Sequence, residues 1–87
     1  MDKKIDDFDN FTIILARVFA LQGISYARQH GENDKPIIEF LKNELGMEMN
    51  ESLLEITLGK SGKFNQLMYE SFKNGTPWKY VTAWLES

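Results

Sequence analysis

The chain has 87 residues, enough for one domain, and its 43% hydrophobic and 26% charged residues are those of an ordinary globular protein, which excludes a disordered tail. Its formal net charge of −3 argues against a strong electrostatic attraction to nucleic acid or anionic lipid. Because it has no cysteine, disulfides and thiolate metal sites are excluded, and a reducing compartment is permitted.

The N-terminal segment, residues 1–9, is short and acidic, too acidic for a signal peptide. We expect it to be flexible and the protein to be cytoplasmic. The apolar stretch at 11–27 contains Arg17 and is short for a membrane span of about 20 residues, so we expect no membrane association. Eight lysines against two arginines suggest an A+T-rich genome, bacterial or phage.

A first helix is predicted from a cap at Asp9 or Asn10 to about Gln29, with Gly31 ending it. Apolar residues at helical spacing predict that one of its faces is buried, namely Phe11, Ile14, Leu15, Val18 and Leu21. Further apolar residues cover much of the remaining surface, which is typical of a central helix. This excess of apolar surface also makes a homodimer an expectation.

A second amphipathic helix is predicted after Pro36, and Gly46 is expected to end it. Its apolar residues are Ile37, Ile38, Leu41 and Leu45. Met47 is expected to fold back onto this helix, as hydrophobic residues after such a glycine do.

The segment 50–58 allows two interpretations. Ser52 followed by Glu55 is a capping-box pattern, which favours a short helix. The alternation of apolar and polar residues at 54–58 would also fit a strand. No second alternating run exists to pair with such a strand, so helix is preferred.

Two further helices are predicted at the C-terminal end. Phe64, Leu67, Met68 and Phe72 share one helical face, and Trp78, Val81 and Leu85 share another. Between them, Gly75 and Pro77 supply a stop and a restart. We therefore predict an all-α fold: a small single-domain bundle, residues 1–87, of four to five helices with short connections. The predicted core is Phe11, Ile14, Leu15, Val18, Leu41, Leu45, Leu67, Met68 and Phe72.

The sequence assembles no convincing active site. Gly59, Lys60 and Ser61 resemble the end of a phosphate-binding loop. That motif also needs a glycine five residues before Gly59, and this position holds Leu54. His30 is the sole histidine and lies in a helix-end signature, without the partners that catalysis needs. The N-terminal aspartates lack the spacing of a calcium loop. We expect no catalytic residue, no metal, no cofactor and no enzymatic activity.

Aromatic residues make up 13% of this small chain, and such a surplus is a recurrent mark of protein interfaces. The sequence predicts a non-enzymatic module that binds another protein, a regulator or inhibitor of a larger bacterial or phage assembly. The predicted partner-binding residues are Trp78, Tyr80 and Trp84, with Lys73 and Lys79 at a polar rim. The alternative is that the tryptophans close the core.

A second hypothesis is a DNA-associated replication or regulatory module. Its nucleic-acid-binding residues would be Lys60, Lys63, Lys73 and Lys79, because lysines beside stacking aromatics can hold a single strand. Residues 40–46 (FLKNELG) and 74–81 (NGTPWKYV) resemble the opening and closing segments of the C-terminal part of DnaD-type replication-initiation domains. Trp84 stands where that family has an aliphatic residue, so we do not assign the chain to it. Nucleic acid remains the less favoured partner.

Overall fold

The computed structural model describes residues 9–50, 52 and 62–86, and these residues form four α-helices and no strand. The helices are α1 (Asn10–Gln29), α2 (Lys35–Asn43), α3 (Gly62–Lys73) and α4 (Pro77–Glu86). The prediction of an all-α fold is confirmed. Most of the segment 50–58, for which helix and strand were both considered, lies outside the described residues. So do residues 1–8, which are expected to be flexible, and Lys60, a candidate nucleic-acid-binding residue.

The ends of α1 lie where the sequence predicts them. The side chain of Asp9 accepts a hydrogen bond from the backbone N–H of Thr12, with an N–O distance of 2.8 Å, and so caps the helix. At the other end Gly31 has a φ of +68°, a conformation that is strained for residues with a Cβ. The N–H of Glu32 then donates to the carbonyl of Ala27, which closes the helix end.

The turn between α3 and α4 is a tight reversal built on Gly75, whose φ is +77°. The N–H of Thr76 donates to the carbonyl of Ser71 and that of Gly75 to the carbonyl of Phe72, the bond pair of a Schellman motif. Pro77 then begins α4, where its missing N–H costs nothing. The predicted stop and restart are confirmed.

α2 ends in a similar way. The N–H of Met47 donates to the carbonyl of Leu41 across a turn at Gly46, and the Met47 side chain is half-buried against the core. The expectation that Met47 folds back onto α2 is confirmed.

α1 is the central helix and contacts α2, α3 and α4. Phe19 contacts Phe64, and Tyr26 contacts Tyr69, so α1 and α3 run in the same direction. The two helices approach most closely at Gly23, where an added Cβ would lie 3.1 Å from the Cα and N atoms of Tyr69. Alanines of α1 at positions 16, 20 and 27 are also fully buried, which allows the close approach.

Both arginines of α1 connect it to the α2 region. The Arg17 Nε donates to the carbonyl oxygen of Leu45 at 2.8 Å, just after α2. Arg28 forms a salt bridge with Asp34, also at 2.8 Å, just before α2. The latter pair is partly solvent-exposed and contributes little to the free energy of unfolding.

The buried face of α1 differs from the predicted one. Phe11 is 61% exposed and Ile14 is 55% exposed, so their assignment to the core is wrong. Leu15 and Val18 are only half-buried, whereas Leu21 is buried as expected. The buried side chains of α1 that form the core are Ala16, Phe19, Ala20, Leu21, Ile24 and Ala27. The physical reason is that the backbone of α3 comes nearest at Gly23, and the small residues at 16, 20, 23 and 27 lie on a different face from Phe11 and Ile14.

The predictions for the other helices are mostly confirmed. Leu41, Leu45, Met68 and Phe72 are all buried. Leu67 is the exception, at 40% exposure, and its assignment to the core is wrong. It borders a surface depression of α3 together with charged residues, whereas the face of α3 that packs on α1 passes through Met68 and its neighbours.

α1 is also long enough and apolar enough to span a membrane by length and composition alone. Half of its apolar stretch is buried inside the bundle, and the central helix of a small helical fold has the same length and composition.

Candidate functional site

α4 carries the predicted partner-binding aromatics. Val81 and Pro77 are buried and dock the helix on the core, with Leu85 half-buried beside them. Trp78 is half-buried, its ring centroid 6.5 Å from that of Phe40. Trp78 therefore contributes to packing between α4 and α2, which is the alternative that the sequence left open.

Trp84 lies near the end of α4 and is 39% exposed. Its ring meets the ring of Phe19 edge-on, with centroids 5.5 Å apart, a favourable aromatic geometry. One part of the indole thus covers the fully buried Phe19, and another part faces solvent. Trp84 therefore covers part of the core and also presents apolar surface to solvent.

Tyr80 lies one helical turn before Trp84, on the same side of α4. It is half-buried against the core, and the Lys79 ammonium lies 6.0 Å from the centroid of its ring. That distance is at the limit of a cation–π interaction. We refer to Tyr80 and Trp84 as the α4 aromatic pair.

The candidate lysines that the structure describes, Lys63, Lys73 and Lys79, have different neighbours. Lys73 lies over the ring of Tyr69, 5.4 Å from its centroid, and Tyr69 is itself buried. Lys63 is exposed on α3 beside Gln66 and Glu70. Of the predicted rim residues, Lys79 lies over a ring of the α4 aromatic pair, whereas Lys73 lies over a buried ring of α3.

A surface that the sequence interpretation missed lies on the N-terminal half of α1. Phe11, Ile14, Leu15 and Val18 are spaced i, i+3, i+4 and i+7 and so share a face, with the first two more than half exposed. We call these four residues the α1 stripe. The signal that could have revealed it is the run of small residues at 16, 20, 23 and 27, which marks the opposite face as the closer packing surface.

The electrostatics at the start of the α1 stripe are set by Asp9. The Thr12 side chain and then its backbone N–H hydrogen-bond the Asp9 carboxylate, and they lower the pKa of that group below its ordinary value. Asp9 is therefore ionised at neutral pH, next to the positive end of the α1 dipole. The α1 stripe itself carries no charge.

His30 occupies a helix-end position. Its backbone N–H donates to the carbonyl of Tyr26, and its ring stacks on that of Tyr26 with centroids 4.2 Å apart. The Tyr69 hydroxyl donates to Glu32 nearby, at 3.4 Å. Among the residues that the structure describes, no group of three or more His, Asp or Glu side chains is arranged to hold a metal ion.

Comparison of the chain with protein-family models, with curated proteins and with solved structures found no match. The resemblance to DnaD-type domains at 40–46 and 74–81 is therefore without support from the family comparison.

Proposed function

We propose that the protein is a small non-enzymatic module that binds another protein and regulates or inhibits a larger bacterial or phage assembly. The observation that carries the proposal is the exposure of Trp84. An indole that is partly anchored on Phe19 presents a rigid apolar surface to solvent, and tryptophan and tyrosine dominate the energetic centres of protein interfaces.

The α4 aromatic pair is the proposed centre of the interface, with Lys79 at its rim. Anchored aromatic rings lose little side-chain entropy on binding, because packing already restricts their rotamers. A rim lysine increases the association rate for an acidic partner more than it increases affinity.

The first experiment is a pull-down with the tagged chain from its native cells, read out as a second protein recovered in stoichiometric amount. The complex is then rebuilt from purified components. Replacing Tyr80 and Trp84 by Ala is expected to weaken binding by about 2 kcal/mol or more, roughly thirtyfold. Leu67→Ala is the matched control, because Leu67 and Trp84 are almost equally exposed, at 40% and 39%.

Circular dichroism melts of each variant separate loss of binding from loss of folding, since Trp84 also covers Phe19. The proposal is wrong if a folded Tyr80/Trp84 variant binds the recovered protein as tightly as the wild type does. It is also wrong if the chain recovers no protein but forms a salt-dependent complex with single-stranded DNA, since that result would assign it to the nucleic-acid class.

A further inference from the structure

We infer that the α1 stripe is a self-association surface, on which a second copy of this chain packs its own α1 stripe in the antiparallel direction about a two-fold axis. The inference does not depend on the proposed function, because it concerns a different helix and a different partner.

The exposed side chains require an apolar partner. Phe11 at 61% exposure leaves about 120 Å² of ring in water, taking roughly 200 Å² for the whole side chain. From position 10 to 27 the sole charged residue is Arg17, and its guanidinium is engaged by the Leu45 carbonyl oxygen. A charged partner surface would therefore lose hydration against the α1 stripe without gaining an ion pair.

A second copy fits this surface because the stripe is self-complementary. Its i, i+3, i+4, i+7 spacing is the seam pattern by which two helices pack side by side. With the two-fold axis between positions 14 and 15, the antiparallel register places Phe11 opposite Val18 of the other copy, with the two copies of Ile14 side by side on one side of the seam and the two copies of Leu15 on the other. The largest side chain then meets the smallest, which fills space evenly along the seam.

Charge selects the antiparallel direction. Parallel packing would bring the two ionised Asp9 carboxylates together and align the two helix dipoles in the same direction. Antiparallel packing about the axis at 14–15 separates the two carboxylates by about eleven residues of helix, roughly 16 Å. At that distance, longer than the Debye length at physiological salt, their repulsion is largely screened.

The size of the stripe sets the expected strength. A standard specific interface buries about 800 Å² per partner, and four side chains on one helix face supply only part of that. The dimer should therefore be weak, with a dissociation constant on the order of 100 µM. Sedimentation velocity from 10 µM to 1 mM is expected to show a reversible shift from monomer to dimer mass.

A charge-swap experiment tests the two-fold geometry. Ile14→Glu and Ile14→Lys should each be monomeric throughout this range, because position 14 lies next to position 14 of the other copy and like charges meet there. An equimolar mixture of the two variants should restore dimer mass. Leu67→Glu, at an exposed apolar position of α3, is the matched control and should dimerise as the wild type does.

A second variant gives an independent readout, because the natural chain has no cysteine. Ile14→Cys should form a disulfide-linked dimer under mild oxidation at high concentration, whereas Leu67→Cys should not, since disulfides need Cα atoms within about 7 Å. Monomer mass up to 1 mM in the wild type would overturn the inference. So would a dimer that Ile14→Glu leaves intact. A monomeric wild type that still captures a partner protein would leave the proposed function standing.

Discussion

α1 is apolar along its whole length, yet its two halves differ in burial. In the N-terminal half Phe11 and Ile14 face solvent, whereas positions 19–24 are all buried. The difference follows from where α3 lies: its backbone reaches α1 at Gly23, so the large side chains beside that contact, Phe19 and Ile24, are covered. Hydrophobicity alone thus does not decide which part of a central helix is core.

The largest expected effect compares two phenylalanines of α1. Phe19→Ala should lower the free energy of unfolding by about 3–5 kcal/mol, because Phe19 is fully buried between the rings of Phe64 and Trp84. Phe11→Ala should change it by no more than about 0.5 kcal/mol at concentrations where the chain is monomeric. Urea unfolding at low micromolar protein measures both. Equal losses in the two variants would contradict the proposed difference between the halves.

The second comparison uses neighbouring positions of α3. Met68→Ala should cost about 2–5 kcal/mol, because Met68 is buried in the main cluster. Leu67→Ala should cost less than about 1 kcal/mol, since its side chain already contacts water. The same urea titrations apply. A larger loss of unfolding free energy in the Leu67 variant than in the Met68 variant would mean that Leu67 is a core residue, as its apolar spacing alone predicts.

Gly23→Ala tests the close approach itself. Helix propensity favours Ala by about 1 kcal/mol, but the added Cβ would lie 3.1 Å from backbone atoms of Tyr69, and such overpacking costs about 1–3 kcal/mol. A backbone cannot move aside as a flexible side chain can, so we expect a net loss of about 1 kcal/mol. Ser25→Ala, also inside α1, is the control. If Gly23→Ala is as stable as the control, α3 does not approach α1 as closely as described.

The smallest expected effect is the pH dependence of stability that comes from Asp9, the residue that caps the start of α1. Because hydrogen bonds from Thr12 lower the pKa of Asp9, its ionised form stabilises the folded state above the unfolded-state pKa of about 3.9. That contribution is lost as the pH falls through the lower folded-state pKa. Asp9→Asn keeps a capping oxygen and does not titrate.

Thermal melts between pH 2 and pH 7 should therefore show the wild type losing stability relative to Asp9→Asn below about pH 4. Parallel pH profiles for the two proteins would mean that the Asp9 carboxylate has the same pKa folded and unfolded.

The sequence alone determined the helix class and many helix ends, because these depend on local interactions. Asp9 needs only the N–H of Thr12 to cap α1, and Gly31 and Gly75 need only their own backbone freedom to end α1 and α3. The amphipathic pattern of α2 also fixed its buried face, since Ile37 and Leu41 have few apolar competitors on the other faces.

Only the tertiary structure decided which face of α1 is buried and which of the α4 aromatic side chains is exposed to solvent. α1 is apolar nearly all round, so its spacing allowed several faces, and the choice came from the contact between Gly23 and the α3 backbone. Trp78 and Trp84 are chemically identical, yet one packs towards Phe40 and the other caps Phe19 with an exposed edge. Burial of this kind depends on where distant segments meet, which no local pattern contains.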